Sequence, residues 1–263
     1  MAGQTVGLLH PGEMGAAVGA VLVKQGHRVV WASAGRSAET RERAQAAGLE
    51  DAASVGRLVQ LSDLIVSVCP PHAAREVAGS VVGFEGIFVD ANAVAPATAR
   101  QLSDMVAGAG GEFVDGGIVG PPPGTAGTTR LYLSGSAAES VADLFAGSAL
   151  DAHVLPDEVG AASAVKMAYA AWTKGTAALL IAIRELARAE QVEPVLLEEW
   201  RTSLPELLER SERAVRSGQA KGWRWVGEMQ EIAATFSAAG LPAGFHQAAA
   251  EVFRTFSAEH SEQ

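Results

Sequence analysis

The sequence holds a single cysteine, Cys69. With no second thiol, no internal disulfide can form and no zinc site can rest on thiolates. Residues 1–4 carry no basic segment leading into an apolar run, so no secretory signal is expected. No stretch reaches the ~18 uninterrupted apolar residues of a membrane span. The richest window, Ala177–Ile183, runs directly into Arg184 and Glu185. These absences together suit a cytoplasmic protein with no membrane partner. Positive charge is also in deficit. The net charge of −10 repels a phosphate backbone, so nucleic acid is not an expected partner. An anionic ligand would need a local positive pocket. What is present is apolar surface: 48% hydrophobic against 19% charged residues marks a folded chain, and 263 residues allow one large domain or two smaller ones.

Periodicity divides the chain near Pro156. Before it, short apolar runs alternate with helical patterns. Val6–Leu9 reads as a strand, Met14–Gln25 as a helix ended by Gly26, and Arg28–Trp31 as a second strand. That is the size of one βαβ unit. A helix over Ser37–Ala47, strands at Leu64–Val68 and Ile87–Val89, and a helix over Ala97–Ala107 continue the alternation. Phe113–Val114, Leu131–Leu133 and His153–Leu155 read as strands, with a helix at Val141–Phe145. Apolar strands alternating with helices predict an α/β fold, a doubly wound, parallel, Rossmann-type sheet buried on both faces. From Val159 to Gln191 the pattern is one long apolar helix. Pro194–Trp200, Leu204–Ser217, Trp225–Ala239 and Pro242–Ala258 read as further helices, with Gly240-Leu241-Pro242 as a stop and restart. The expected organisation is a dinucleotide-binding domain over 1–158 and an all-helical substrate and dimerisation domain over 159–263.

The stretch "VGLLHPGEMG" at Val6–Gly15 lies where a βαβ unit binds a dinucleotide. Such a turn uses one glycine for tightness, one for approach to the pyrophosphate and one for helix–strand packing. Gly12 and Gly15 fill the second and third places, while His10 stands in the first. The helix beginning near Glu13 would aim backbone N–H groups at phosphates. His10, Pro11, Gly12, Glu13 and Met14 are therefore the expected cofactor segment. His10 reads as a turn residue with no catalytic part, and Glu13 as a carboxylate favoured by the helix dipole. The second strand ends without the acid that would grip a ribose 2′-hydroxyl. Its tip instead carries Ser33, Arg36 and Ser37, with Arg41 a turn later. Hydroxyls and a guanidinium suit a 2′-phosphate, so the expected cofactor is NADP (NADPH). A plain loop with a solvated Arg36 is the competing reading.

The order of motifs resembles the β-hydroxyacid dehydrogenase superfamily, which includes 6-phosphogluconate and hydroxyisobutyrate dehydrogenases and the imine reductases. "GEMG" at Gly12–Gly15 is similar to its glycine turn, and "VSVCPP" at Val66–Pro71 to its fourth-strand loop beside the nicotinamide ribose. "VDANAVAP" at Val89–Pro96 resembles D-x-S-T-x-x-P, and "FVDGGIVGPPPG" at Phe113–Gly124 resembles F-x-D-A-P-V-S-G-G. "GAASAVKMAYAA" at Gly160–Ala171 resembles G-x-G-x-x-x-K-x-x-N-N. The resemblance spans almost the whole chain. It implies cofactor contacts at Cys69, Pro70 and Asn92, and it assigns the catalytic role to Lys166. The apolar neighbours Val165, Met167 and Ala168 agree with that role, because an amine withdrawn from water exchanges protons nearer neutrality. A lysine snorkelling to solvent is the alternative.

Departures from the pattern bear on the substrate. Tyr169 and Ala170 replace two asparagines, and Val119 and Pro121 replace a serine and a glycine. Tyr169, one turn after Lys166, could relay a proton or pack in the core. Asn92 could bind the ribose or substrate, or cap the next helix. Pro121-Pro122-Pro123 makes a stiff loop that could shape the pocket. Cys69 reads as a buried small residue, Asp90 and Asp115 as loop organisers, Lys174 as a surface residue and His246 as a satisfied packing histidine. Trp223 and Trp225 read as core or interface, and no role is evident for Glu228 or Glu231. The expected activity is hydride transfer between NADP and a small carbonyl or hydroxy compound, with Lys166 passing the proton and the substrate in a cleft between the domains. The long apolar helix predicts a homodimer. Imine reduction, and a catalytically silent NADP sensor, are the rival functions. No metal is expected.

Overall fold

Apolar strand segments of four or five residues, each closed by a turn, build the centre of the first part of the chain. The computed structural model describes residues 3–156 and 158–259. Its two compact units are Met1–Lys166 and Met167–Gln263. The strands of the first are β1 (Thr5–Leu9), β2 (Arg28–Trp31), β3 (Glu50–Asp51), β4 (Leu64–Ser67), β5 (Ile87–Asp90), β6 (Glu112–Val119), β7 (Thr129–Ser134) and β8 (Leu150–Val154). They form one sheet in the order β3-β2-β1-β4-β5-β6-β7-β8. The chain winds outward from β1 to β3, then returns to lay β4 on the other side of β1, so β1 and β4 flank the switch point. Neighbouring residues of one strand feed opposite cores. Val66 joins Leu8, Leu133 and Phe145 on one face; Ile65 joins Phe88, Leu102 and Phe113 on the other. This is the doubly buried α/β sheet expected from the apolar strands.

The helices of this unit are α1 (Glu13–Lys24), α2 (Ala38–Ala46), α3 (Val55–Leu61), α4 (Ala74–Gly79), α5 (Pro96–Gly108) and α6 (Ala138–Asp143). Ser37 caps α2, its hydroxyl accepting the Thr40 N–H, and Pro96 opens α5 where a missing N–H costs nothing. Three corrections to the sequence reading arise here. β6 and β7 pair antiparallel, with Asp115 opposite Ser134 and Ile118 opposite Leu131. Only the loop 120–128 joins them, too short to hold a crossover helix, so the strand must return beside its predecessor. β6 also runs far past Val114, through the glycines of "DGGIV", and β8 begins earlier than His153. β3, α3 and α4 were not expected; each is too short to print a period.

A 29-residue helix, α7 (Ala161–Ala189), starts in the first unit and continues into the second. The second unit adds α8 (Glu193–Ser203), α9 (Pro205–Ala238) and α10 (Gly244–Glu259). The expected break between Ser217 and Trp225 is absent, and α9 is one helix of 34 residues. Its Gly218 serves packing: a Cβ there would lie 2.8 Å from Ile181 Cδ1 and 3.2 Å from the Phe256 ring. None of the described helices is long and apolar enough to cross a membrane.

Candidate cofactor and catalytic site

Because β1, β2, β4, β5 and β6 run parallel, the segments following the first four open on one edge of the sheet. Ligands of such sheets bind outside the carboxyl ends of the strands, at the switch point. His10–Gly12 follows β1 and Ser33 follows β2. Cys69–Pro70 follows β4 and Asn92 follows β5. The structure thus brings the expected cofactor residues to one edge.

The turn after β1 is closed by a hydrogen bond from Gly12 N to the His10 carbonyl at 2.8 Å. His10 takes the first glycine's conformation itself, with φ of 67°. Histidine is one of the few side chains that enter this left-handed region with some frequency. Gly12 is the N-cap of α1, no side chain caps that helix, and a Cβ on Gly12 would meet open space. At Gly15 the same atom would lie 2.4 Å from the His10 carbonyl oxygen, so only glycine lets α1 lie this close to the turn. Pro11 is buried, whereas Gly12 and Glu13 are exposed and Met14 is half-buried. An uncapped helix start behind an open glycine fits a pyrophosphate. Burial, with Arg36 nearby, lowers the His10 imidazole from its ordinary 6.5 to about 4, and its Nδ1 is buried without a hydrogen-bond partner. The imidazole therefore adds no positive charge near neutral pH.

At the β2 tip Ser33 is buried, Arg36 half-buried and Ser37 exposed. Arg41 is committed to the loop backbone, donating to the carbonyls of Ser33 at 3.2 Å and Arg36 at 3.3 Å. Two residues with no sequence signal stand here. Arg43 donates to the Pro11 carbonyl at 3.4 Å and pairs with Glu39, tying α2 to the glycine turn. Asp51, from the two-residue β3, accepts the Ala53 N–H at 2.7 Å. Its desolvation opposes ionisation, yet hydrogen bonds from Ser33 and Ala53, with Arg41 nearby, hold its carboxyl below the usual range. An acid does stand beside Ser33, supplied by β3 instead of β2.

Beyond β4 and β5 a buried polar knot forms. Asn92 accepts the Cys69 N–H at 2.5 Å and donates to Ser67 Oγ at 3.1 Å and to the Asp90 carboxylate. Its side chain ties the β4 loop to β5. It does not cap α5, whose N-cap is Ala95. Burial pushes the Cys69 thiol up to about 12, with the Ser67 hydroxyl partly opposing that shift.

Lys166 lies on the first turns of α7, half-buried, with its Nζ donating to the Ile118 carbonyl of β6 at 2.6 Å. Three residues back on each element, Asp115 accepts from Ser163 Oγ at 2.6 Å and from the N–H groups of Ser163 and Gly160, both at 2.9 Å. Ser134 Oγ donates to Asp115 at 3.1 Å and accepts the Ala162 N–H at 3.2 Å. Thr129 Oγ1 pins the start of the proline loop through the Pro121 carbonyl at 2.7 Å.

Within the second unit Tyr169 is 47% exposed, which excludes the core-packing reading. Lys174 is no plain surface residue: it forms an ion pair with Glu228, and both side chains are largely shielded. That pair gives Glu228 a role. His246 is buried against the rings of Phe236 and Phe245, as a packing histidine, but its Nδ1 has no partner. Trp225 packs edge-on to Phe253, while Trp223 is exposed. Among the described residues no cluster of His, Cys, Asp or Glu side chains gathers to hold a metal ion.

Sheet order, glycine turn and switch point together define an NAD(P)-dependent dehydrogenase or reductase. The chain belongs to the family described as the NAD binding domain of 6-phosphogluconate dehydrogenase, whose model matches residues 5–149; a domain of unknown function matches residues 187–256. No curated protein matches the chain. Among solved structures, a conserved hypothetical protein from Sinorhizobium meliloti 1021 is 26% identical, covering 100% of this chain and 91% of its own at a TM-score of 0.71. A 3-hydroxyisobutyrate dehydrogenase from Salmonella typhimurium shares the fold at 17% identity, with coverage of 99% and 100% and a TM-score of 0.76. A reductive aminase from Aspergillus terreus in complex with NADPH4, cyclohexanone and allyl amine shares it at 20% identity, with coverage of 98% and 93% and a TM-score of 0.61.

Proposed function

We propose that the protein is an NADP-dependent oxidoreductase that moves hydride between the nicotinamide and a small carbonyl or hydroxy compound, with Lys166 as proton donor and acceptor. The observation that carries this reading is the Lys166 amine, half-buried and held on the Ile118 carbonyl near the carboxyl end of β6. When bound, the cofactor supplies or accepts the hydride. The chain's own residues do the rest. Gly12 and the start of α1 receive the pyrophosphate, and Arg36 with Ser37 receives the 2′-phosphate. Cys69, Pro70 and Asn92 form the wall beyond β4 and β5. Lys166 passes a proton to the substrate oxygen as hydride reaches carbon, or takes it back in the reverse direction. Tyr169, one turn along α7, is a second polar group on that helix.

A screen of NADPH oxidation against aldehydes, oxo-acids and cyclic imines tests the reading. Turnover of a carbonyl substrate that falls by about a hundredfold or more in Lys166→Ala supports it. Turnover confined to imines moves the protein to the second reading, imine reduction, for which the replacement of two family asparagines by Tyr169 and Ala170 speaks. Tight NADPH binding with no turnover on any member of the panel leaves a sensor and overturns the enzyme.

The proposal includes a homodimer. On α7, residues 169, 172, 176, 179, 183 and 186 alternate spacings of three and four, the seam of a helix pair. Trp172 and Leu186 are each 64% exposed and Leu179 is 46% exposed. Trp172 and Thr176 share an open groove with Arg210 and Arg213 of α9. Along α9, Glu206, Glu209 and Glu212 each pair with the arginine four residues on, Arg210, Arg213 and Arg216, so acids lead and bases follow. Such a row is self-complementary when a second copy lies antiparallel, which favours another copy of this chain as the occupant.

A further inference from the structure

The segment Asp115-Gly116-Gly117-Ile118 of β6 does three things to α7, and each is read from a separate atom. Asp115, fully buried, receives the Gly160 and Ser163 N–H groups and the Ser163 hydroxyl. It thereby caps the start of α7 from another element, satisfying N–H groups the helix cannot satisfy itself. Gly117 makes room: a Cβ there would lie 2.7 Å from the Ala162 carbonyl oxygen and 3.1 Å from Lys166 Cβ. Ile118 offers its carbonyl to the Lys166 amine at 2.6 Å. Ser134 of β7 also donates to the carboxylate, at the Oδ2 that takes the two N–H groups, and accepts the Ala162 N–H. Asp115 and Ile118 are three residues apart on the strand. Ser163 and Lys166 are three apart on the helix, about one turn. The two rungs therefore set each other's register: if the cap shifts, the amine leaves its carbonyl.

We propose that Asp115, acting through Ser163, is a positioning residue that fixes α7 against β6 and so places the Lys166 amine on the Ile118 carbonyl. Its catalytic meaning rests on the role proposed for Lys166; the placement itself does not. The carboxylate has four donors around it and none of them is a substrate. A carboxylate bonded to backbone N–H groups at a helix start holds that start in place, which suits a clamp.

The chain's four lysines, Lys24, Lys166, Lys174 and Lys221, make the test tractable. In the full chain, labelled with nitrogen-15 at lysine Nζ, exchange of the ammonium protons with water is followed by nuclear magnetic resonance. Lys166→Arg identifies the Lys166 signal. Lys174, paired with Glu228 in the second unit, is the internal control. In the wild type, Lys166 protons exchange slowly compared with the exposed Lys24. In Ser163→Ala and in Asp115→Asn, both of near-native shape, Lys166 exchange accelerates by about tenfold while Lys174 is unmoved, and Ser163→Thr restores slow exchange. Two results overturn the proposal: an unprotected Lys166 in the wild type, or unchanged Lys166 exchange in either folded variant. Should Asp115→Asn fail to fold, the pair Ser163→Ala and Ser163→Thr decides alone. An active Lys166→Ala enzyme would remove the catalytic reading and leave the exchange result standing. Unchanged exchange beside an inactive Lys166→Ala would remove the clamp and leave the catalytic reading.

Discussion

His10 spends free energy that a glycine in its place would not. A non-glycine residue in the left-handed region costs about 1–2 kcal/mol, partly offset because glycine loses more chain entropy on folding. His10→Gly is therefore expected to raise the melting temperature by about 2 °C, read by calorimetry. The same residue sets a pH dependence. Its folded pKa of about 4 lies below the ordinary 6.5, so the unfolded chain binds more protons between those values. Its stability contribution is whole above pH 6.5 and is lost as pH falls toward about 4. His10→Asn, which tolerates the same φ, should show a shallower fall of melting temperature across that window; an equal slope would remove His10 as the cause. At the β2 tip, Arg36→Ala should weaken NADPH binding by about tenfold or more while NADH changes by less than about twofold, measured by fluorescence titration. Equal losses would mean that Arg36 does not read the extra phosphate. The tight turn at Gly12 and the close packing at Gly15 were legible in the sequence because glycine spacing is a local signal, whereas Lys166 stood out only through the order of motifs around it. Asp51 and Arg43 were not, because what places them is the neighbouring strand and the carbonyl of Pro11, far away in the chain.

Between β6 and α7 the fit is tight enough to measure. Gly117→Ala forces a methyl toward the Ala162 carbonyl, and relieving it must push the helix away, at about 1–3 kcal/mol. Chemical denaturation should show that loss, whereas Gly12→Ala, facing open space, should leave stability nearly unchanged. In the helical unit, Lys174→Ala strands the Glu228 carboxylate in a shielded place. It should cost about 3 kcal/mol, and Lys174→Met with Glu228→Leu should cost less than either partner's loss alone. Long periodic elements were the most readable: α1 and α7 lie within two residues of their expected limits. The β6–β7 pairing was hidden, since the direction of a strand leaves no mark in its own residues. The continuity of α9 was hidden too, because Gly218 looks like a break until Ile181 and Phe256 are seen against it.

At the scale of the full chain, light scattering behind gel filtration should give twice the chain mass of 27.1 kDa. Trp172→Glu with Leu186→Glu, each placing charge on the exposed α7 seam, should return it to a single chain without melting either unit. A mass of one chain in the wild type would remove the dimer. Cys69 has a practical consequence here. A sulfur that keeps its proton up to about 12 offers almost no thiolate to maleimides or peroxide at neutral pH. Fluorophores or spin labels could then be attached to a cysteine engineered at an exposed position, with the native sulfur left in place as a silent bystander.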